Sequence, residues 1–418
     1  MTVSLPRGTT PRPRHAPGGP VPRPAGTGPD GDGRGTRRRG YLAAASLRCA
    51  LYLGPLSVAI AAAPALHEVA WPARAAGLVL GWSAAQALGG IGAEVAGRHG
   101  ARAAARLVGG GFAAAAGLWC ALVWAVPAHW LGPDRWLAGT VGVGGLACLA
   151  TVTAALVTRA EAAVVRWSLP CWLLAALAVA GTVGGTWASR VPVGTVLPAA
   201  ITVAAVRAYR PLIGRPAARR PPPGRAALRR GLGRLLIGAA QATCVVLVWR
   251  AGPPGAASPF ALPLLAAVPV LEALVGWHVR QVEAGLDRAE SRQDFARHVR
   301  AVTAVTVAGL LPPLAAGAAI AVAAYRLPYG PPTRDGVLAL AAGTLLGGVF
   351  AATFLLAARG RTGIAATLAA TPAGVAALPL VSGSPSGRLP AAVAVLAATH
   401  LVGLLAVALT AADHRRTP

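Results

Sequence analysis

The stretch "LPAAVAVLAATHLVGLLAVALTA", residues 389–411, contains no Asp, Glu, Lys or Arg. About 20 apolar residues in a row are enough for an α-helix to cross the hydrocarbon core of a bilayer. The apolar residues follow one another without the alternation that marks the strands of a membrane barrel. The stretch therefore predicts a transmembrane helix.

Similar apolar runs recur along the whole chain, and with residues 389–411 they make twelve predicted spans. The spans cover residues 45–65, 74–93, 106–126, 136–158, 164–187, 191–210, 232–250, 257–277, 300–325, 335–357, 363–381 and 389–411. We predict an all-α polytopic membrane protein with about twelve transmembrane helices in two six-helix halves.

The composition supports a chain that is surrounded by lipid. Of its 418 residues, 55% are hydrophobic and only 12% are charged, whereas about a quarter of a soluble domain is charged. All 39 basic residues are Arg and the net charge is +26. Because the Arg residues recur in the gaps between spans and form no single basic face, we predict membrane lipids and not nucleic acid as partners. The Ala, Gly, Pro and Arg bias is typical of GC-rich coding and indicates a bacterium.

The distribution of Arg also predicts the orientation. Most of the Arg residues lie in the two tails and in alternate gaps, which the positive-inside rule places in the cytoplasm. The other gaps carry interfacial aromatic residues such as Trp71, Trp130 and Trp136. We therefore predict a multi-pass protein of the bacterial cytoplasmic (inner) membrane with both termini in the cytoplasm.

The predicted organisation has five segments. Residues 1–42 are a disordered basic tail, 43–210 a first six-helix bundle, 211–231 an Arg/Pro-rich cytoplasmic linker, 232–411 a second bundle and 412–418 a short tail. The first tail either has no role or binds anionic lipid. Residues 38–65 resemble a twin-arginine signal, but so apolar a remainder favours an uncleaved first span.

A charge-rich stretch follows the eighth span, "ALVGWHVRQVEAGLDRAESRQDFARHVRAV", residues 273–302. Its apolar residues recur at helical spacing and its charges occupy the other faces. We predict that the eighth span continues beyond the membrane and that an amphipathic helix then turns back into the ninth. This stretch is either a solvated connector or a cytoplasmic gate.

The matching place in the first half is "GRHGARAAARL", residues 97–107, with Gly92 and Glu94 just before it. A span that ends in a Gly-rich corner and is followed by a short Arg-bearing helix resembles the first half of the multidrug/oligosaccharidyl-lipid/polysaccharide (MOP) flippase superfamily. The charged helix after span eight, with an acidic residue near its start, more loosely resembles the Pel-type exopolysaccharide exporters.

The resemblance implies two six-helix bundles around a central cavity and alternating access for lipid-linked sugars or polymers. It points to five candidate residues for a cytoplasmic gate, namely Glu94, Arg98, Arg106, Arg280 and Glu283. Flippases of lipid-linked sugars typically line the cavity with Arg or Lys, whereas Arg is nearly absent from the predicted span interiors.

Polar groups at membrane depth are candidates for the substrate pathway, because they cost free energy there. Glu272 is the first candidate, as a proton or cation site or as an interfacial carboxylate paired with Arg280. Gln241, Gln86 and His400 follow, and we predict that Glu272, Gln241 and Gln86 line one cavity. The eight His and five Cys show no metal-ligand spacing, and a P-loop needs a Lys that the chain lacks. We expect no enzyme activity, cofactor or metal.

The predicted function is flippase-like export of a saccharide or lipid-linked glycan by alternating access. One alternative is a twelve-span facilitator-type transporter of small molecules, although "AGRHGARAAAR" lacks the Asp and the paired Arg of the usual loop after span two. Another is a non-transporting subunit of a biosynthetic or secretion complex, with partner proteins unknown. A membrane-embedded transferase ranks last because every predicted outer gap is short.

Overall fold

The computed structural model of this chain describes residues 33–182, 191–212, 225–251, 261–328, 330–376 and 388–411. Most of these residues are helical, short turns connect the helices, and none of them forms a strand. Ten helices are long and apolar enough to cross a membrane, and two shorter apolar helices, Val193–Ala208 and Thr362–Ala376, accompany them. They match the twelve predicted spans, and the all-α polytopic fold is confirmed. The predicted tails at 1–32 and 412–418, and linker residues 213–224, lie outside the described residues.

The first half contains eight helices, because some spans are interrupted. They are α1 (Gly33–Tyr52), α2 (Gly54–Ala61), α3 (Ala63–Glu68), α4 (Trp71–His99), α5 (Ala101–Ala125), α6 (Arg135–Thr158), α7 (Glu161–Thr182) and α8 (Val193–Ala208). Helix α1 begins at Gly33, so the last part of the segment predicted as a disordered tail is helical. Arg and Ala are good helix formers, and they extend the first span toward the N-terminus.

The second half contains α9 (Arg225–Ala251), α10 (Ala261–Leu271), α11 (Trp277–Arg288), α12 (Arg292–Ala308), α13 (Leu311–Arg326), α14 (Pro331–Ala358), α15 (Thr362–Ala376) and α16 (Arg388–Ala411). Helix α9 begins inside the linker predicted at 211–231. A π-helical turn, Glu272–Gly276, joins α10 to α11 without a break.

The helices pack in two groups. In the first, α4, α5 and α6 contact one another and α7 packs on α2 and α8. In the second, α14 is central and contacts α10, α13, α15 and α16. Of the most apolar 18-residue segment of α14, 83% is buried. Small residues allow this close packing, since a Cβ on Gly343 would overlap the backbone of Pro263.

The charge-rich stretch is a helical hairpin. Helix α11 prolongs span eight to Arg288, and α12 returns after a turn whose N-cap, Ser291, accepts a hydrogen bond from the backbone N–H of Asp294 at 3.1 Å. His298 Nε2 lies 2.8 Å from the carbonyl oxygen of Gln281 and joins the two arms. Span nine then bends at Gly309 and Leu310, just before two prolines that lack the backbone N–H of a regular helix.

Candidate functional site

The two groups of helices meet at a polar contact that we call the inter-half seam. It consists of α4 against α9 and of α1 against α10 and the π-turn. Along α4 and α9 the contacts run from Trp71, whose ring lies 4.7 Å from the guanidinium of Arg250, to Glu94 beside Arg230. The two helices are therefore antiparallel neighbours across most of the membrane thickness.

Glu272 lies in this seam and is ion-paired across it. Its side chain is 4% exposed, and Arg48 of α1 donates from Nε to Oε1 at 2.8 Å. Arg280 of α11 approaches the same oxygen, with Nη1 at 3.7 Å. A carboxylate this deeply buried needs such partners, because an isolated charge in a low-dielectric interior is very costly.

The π-turn sets the position of this carboxylate. Eight residues of regular α-helix turn through about 800°, so Arg280 would be displaced by about 80° from the face of Glu272. A π-turn contains about one residue more than an α-turn, so the eight residues from Glu272 to Arg280 complete two turns. Arg280 therefore lies on the same face of the helix as Glu272. Gly276 completes the geometry, since a Cβ there would overlap the Glu272 carboxyl group.

Glu94 is the second buried carboxylate of the seam. Arg98, on the next turn of α4, lies 2.9 Å from its Oε1, and Arg230 of α9 lies 2.7 Å from its Oε2. Arg234 of α9 packs against Gly90, where a Cβ would overlap the guanidinium group. Glycine at position 90 therefore makes room for a further cation at this end of the seam.

Each of the two ion pairs joins an Arg of one half to a Glu of the other half. Arg48 on the first span of the first half binds Glu272 on the second span of the second half. Arg230 on the first span of the second half binds Glu94 on the second span of the first half. The depths differ, because Glu94 lies near the end of α4 and Glu272 lies within its span. Each half thus supplies one Arg and one Glu to the other.

Eleven residues after Arg230 on α9, Gln241 forms a small polar network. Its Oε1 accepts from Trp82 Nε1 at 3.2 Å and from Gln86 Nε2 at 3.5 Å, both on α4. Its own amide donates to Thr353 Oγ1 at 2.9 Å, and that hydroxyl donates onward to the carbonyl oxygen of Phe350. The network joins α4, α9 and α14.

The structure brings only two of the three predicted cavity residues together. Gln86 and Gln241 share one hydrogen bond, whereas the charge partners of Glu272 are Arg48 and Arg280. A guanidinium group stabilises a buried carboxylate more effectively than a neutral amide does. Glu272 is therefore paired with Arg side chains, and the two Gln side chains form a separate site.

The other predicted residues have separate settings. His400 is fully buried inside the second group, with Nε2 3.1 Å from the carbonyl oxygen of Leu310 and its ring against Gly348. Of the gate candidates, Glu94, Arg98 and Arg280 take part in the seam ion pairs. Arg106 and Glu283 are exposed on α5 and α11.

Arg is rare inside the predicted spans, and the structure shows where two of these few Arg side chains lie. Arg48 and Arg234 lie within spans and face the seam. Sequence reasoning passed over Arg48, Arg230 and Arg234, although two of them are charges inside otherwise apolar runs. That is the same signal that singled out Glu272.

Within the described residues, no group of three or more His, Cys, Asp or Glu side chains could hold a metal ion.

No family model matches this chain, and no curated protein matches it significantly. Solved structures do match. An inward-facing multidrug resistance MATE family transporter of the MOP superfamily has 14% identity and a TM-score of 0.52, over 89% of this chain and 95% of its own. An outward-facing MATE structure has 15% identity and a TM-score of 0.52, over 91% and 94%. A MATE in complex with Br-NRF has 12% identity and a TM-score of 0.52, over 89% and 96%. This chain therefore has the fold of the MATE transporters of the MOP superfamily.

Proposed function

We propose that this protein is a transporter of the bacterial inner membrane that moves an anionic saccharide, such as a lipid-linked glycan, by alternating access. The observation that carries the proposal is the inter-half seam. Its buried carboxylates, Glu272 and Glu94, are each held by an Arg of the opposite half. Contacts between halves that can separate and re-form are what alternating access requires.

The charge of the seam favours an anionic cargo. Arg48 and Arg280 surround one carboxylate, and Arg98 and Arg230 surround the other, with Arg234 nearby. Guanidinium groups therefore outnumber carboxylates. Arg48 Nη2 is buried and has no hydrogen-bond partner within the part of the chain that the structure describes. Guanidinium binds phosphate oxygens in a bidentate manner, so a phosphate-linked sugar matches this surplus.

Glu272 supplies a route for coupling to protons in this proposal. Protonation would remove its attraction for Arg48 and weaken the tie between the halves. Binding of an anionic group by the released guanidinium would then compensate for the lost carboxylate. The same residue thereby links proton binding, opening of the seam and cargo binding.

The test is transport in proteoliposomes loaded with a fluorescent polyprenyl-pyrophosphate-linked oligosaccharide. Wild-type flux is expected to change between about pH 5 and pH 8, and Glu272→Gln is expected to lose this dependence because its amide does not titrate. The double variant Arg48→Gln/Glu272→Gln, which leaves no unpaired charge between positions 48 and 272, covers the case in which Glu272→Gln folds poorly. A pH profile unchanged from wild type in both variants would remove Glu272 from the mechanism.

A second candidate function is transport of small organic compounds. It is favoured by the similarity to a MATE that was solved in complex with Br-NRF. The same vesicles distinguish the two candidates when they are loaded with a fluorescent organic cation. Cation flux without glycan flux would replace the glycan proposal, whereas the surplus of guanidinium at the seam predicts the opposite result.

A further inference from the structure

A cavity lies inside the second half, away from the seam carboxylates. It is formed by α9, α15 and α16 and has a volume of about 180 Å³. Its walls are apolar and include Leu247, Val248, Val395 and Leu396. This volume is below the roughly 300–1,000 Å³ of a drug-sized ligand site, so the cavity suits a narrow apolar group.

The cavity runs inward from the predicted outer ends of the three helices. Ala251 and Ala376 end α9 and α15, and Arg388 begins α16, so these residues mark the mouth. Cys244 lies about two turns deeper on α9, roughly 10 Å at 1.5 Å per residue. Its thiol donates to the carbonyl oxygen of Ala369 at 3.1 Å and is thereby satisfied. The depth suits part of an acyl chain, and no polar ligand group is needed in its interior.

Among the described residues, the charged groups that line the mouth are Arg250 and Arg388, and no carboxylate lines it. Arg250 also lies 4.7 Å from the ring centre of Trp71, and Trp residues prefer the depth of the lipid headgroups. The two guanidinium groups therefore lie where a headgroup phosphate would be when its acyl chain enters the apolar interior.

We propose that this cavity binds an anionic membrane phospholipid, with one acyl chain between α9, α15 and α16 and the phosphate between Arg250 and Arg388. The apolar interior of the site lies away from the seam carboxylates, and Arg250 at its mouth also forms the outer end of the inter-half seam. Bound lipid would hold α15 and α16 against α9.

The experiment is native mass spectrometry of the full-length protein in detergent, titrated with phosphatidylglycerol or phosphatidylcholine. One phosphatidylglycerol is expected to be retained more strongly than phosphatidylcholine. Arg388→Gln is expected to weaken its binding by about tenfold or more, since a hydrogen bond to a charged group contributes on that order. Ala392→Trp, which fills the cavity, is expected to abolish the retained lipid.

Arg326→Gln is the matched control, because Arg326 is exposed at the predicted outer end of α13 and does not line the cavity. Photolabelling with a diazirine-bearing phosphatidylglycerol locates the acyl chain, and crosslinks are expected on α9, α15 and α16. Equal retention of the two lipids, equal loss in Arg326→Gln, or unchanged binding in Ala392→Trp would each overturn the proposal. If phosphatidylglycerol binds no better than a free fatty acid, the phosphate has no role.

Discussion

At the scale of single residues, the most informative groups are charges buried in apolar helices. Glu272 could be singled out from the sequence because a carboxylate inside a span is costly unless it is paired. Its partner could not be assigned in the same way. Arg280 was close enough in sequence to be considered, but Arg48 is 224 positions away, and only the packing of the halves brings it to 2.8 Å.

The Arg48–Glu272 pair should contribute measurably to stability. Arg48→Gln removes the 2.8 Å contact of Glu272 and keeps the 3.7 Å contact to Arg280. We therefore expect a loss of about 2 kcal/mol in the free energy of unfolding, less than the roughly 3–5 kcal/mol for a buried charge left without a partner. Thermal unfolding in detergent measures the change. Adding Glu272→Gln should recover much of the loss, because the double variant removes the unpaired charge.

The control for this prediction is an exposed ion pair. Arg297→Gln removes the contact with Asp294, at 3.8 Å on the surface of α12, and surface pairs contribute only about 0–1 kcal/mol. If Arg48→Gln were as mild as Arg297→Gln, the buried pair would not hold the halves together.

At the scale of helices, the sequence predicted the spans well and their irregularities poorly. Apolar runs mark which residues cross the membrane, and the charged stretch after span eight did become a hairpin. The π-turn at Glu272–Gly276 leaves no such mark, since it depends on neighbouring helices. Helix α1 includes part of the predicted disordered tail, and α9 includes part of the predicted linker. Helices therefore also continue beyond the apolar runs.

Gly276 tests whether the π-turn positions the carboxylate. Gly276→Ala would place a methyl group where the Glu272 carboxyl lies, so the carboxyl must move away from Arg48. We expect lower thermal stability in the wild-type background and little further loss in the Arg48→Gln background, since both changes break the same contact.

Gly144→Ala is the matched control, because a Cβ there meets no atom within 4 Å. Replacing Gly by Ala in a helix is neutral or stabilising by up to about 1 kcal/mol when there is space. Additive losses from Gly276→Ala and Arg48→Gln would show that the π-turn acts independently of the ion pair.

At the scale of the whole molecule, the two-half layout followed from span counting and from a short Gly- and Arg-bearing motif. Gly100 explains part of that motif, because it has a φ of 81° at the corner between α4 and α5. The seam could not be predicted, since it depends on which faces of α4, α9 and α1 meet. Periodicity indicates that a helix has a buried face but not which neighbour buries it.

If the seam must open during transport, a covalent tie across it should stop transport. Ile91 of α4 contacts Gly231 of α9 so closely that a Cβ on Gly231 would overlap its side chain. In a background without the five native cysteines, Ile91→Cys/Gly231→Cys is expected to form a disulfide on mild oxidation and to lose most flux. Reduction should restore the flux.

The single variants Ile91→Cys and Gly231→Cys control for the substitutions themselves and should keep their flux under oxidation. Full transport by the oxidised double variant would show that this end of the seam stays closed throughout the cycle.

The chain has no Lys, so every cation in the seam is a guanidinium, which keeps its proton at any pH a cell experiences. Glu272 is therefore the group whose charge changes in the proposed mechanism. A fall in pH can protonate Glu272 and weaken its ion pair with Arg48, whereas a rise in pH removes no proton from the guanidinium groups. A proton gradient would thus favour separation of the halves only when Glu272 is accessible from the more acidic compartment.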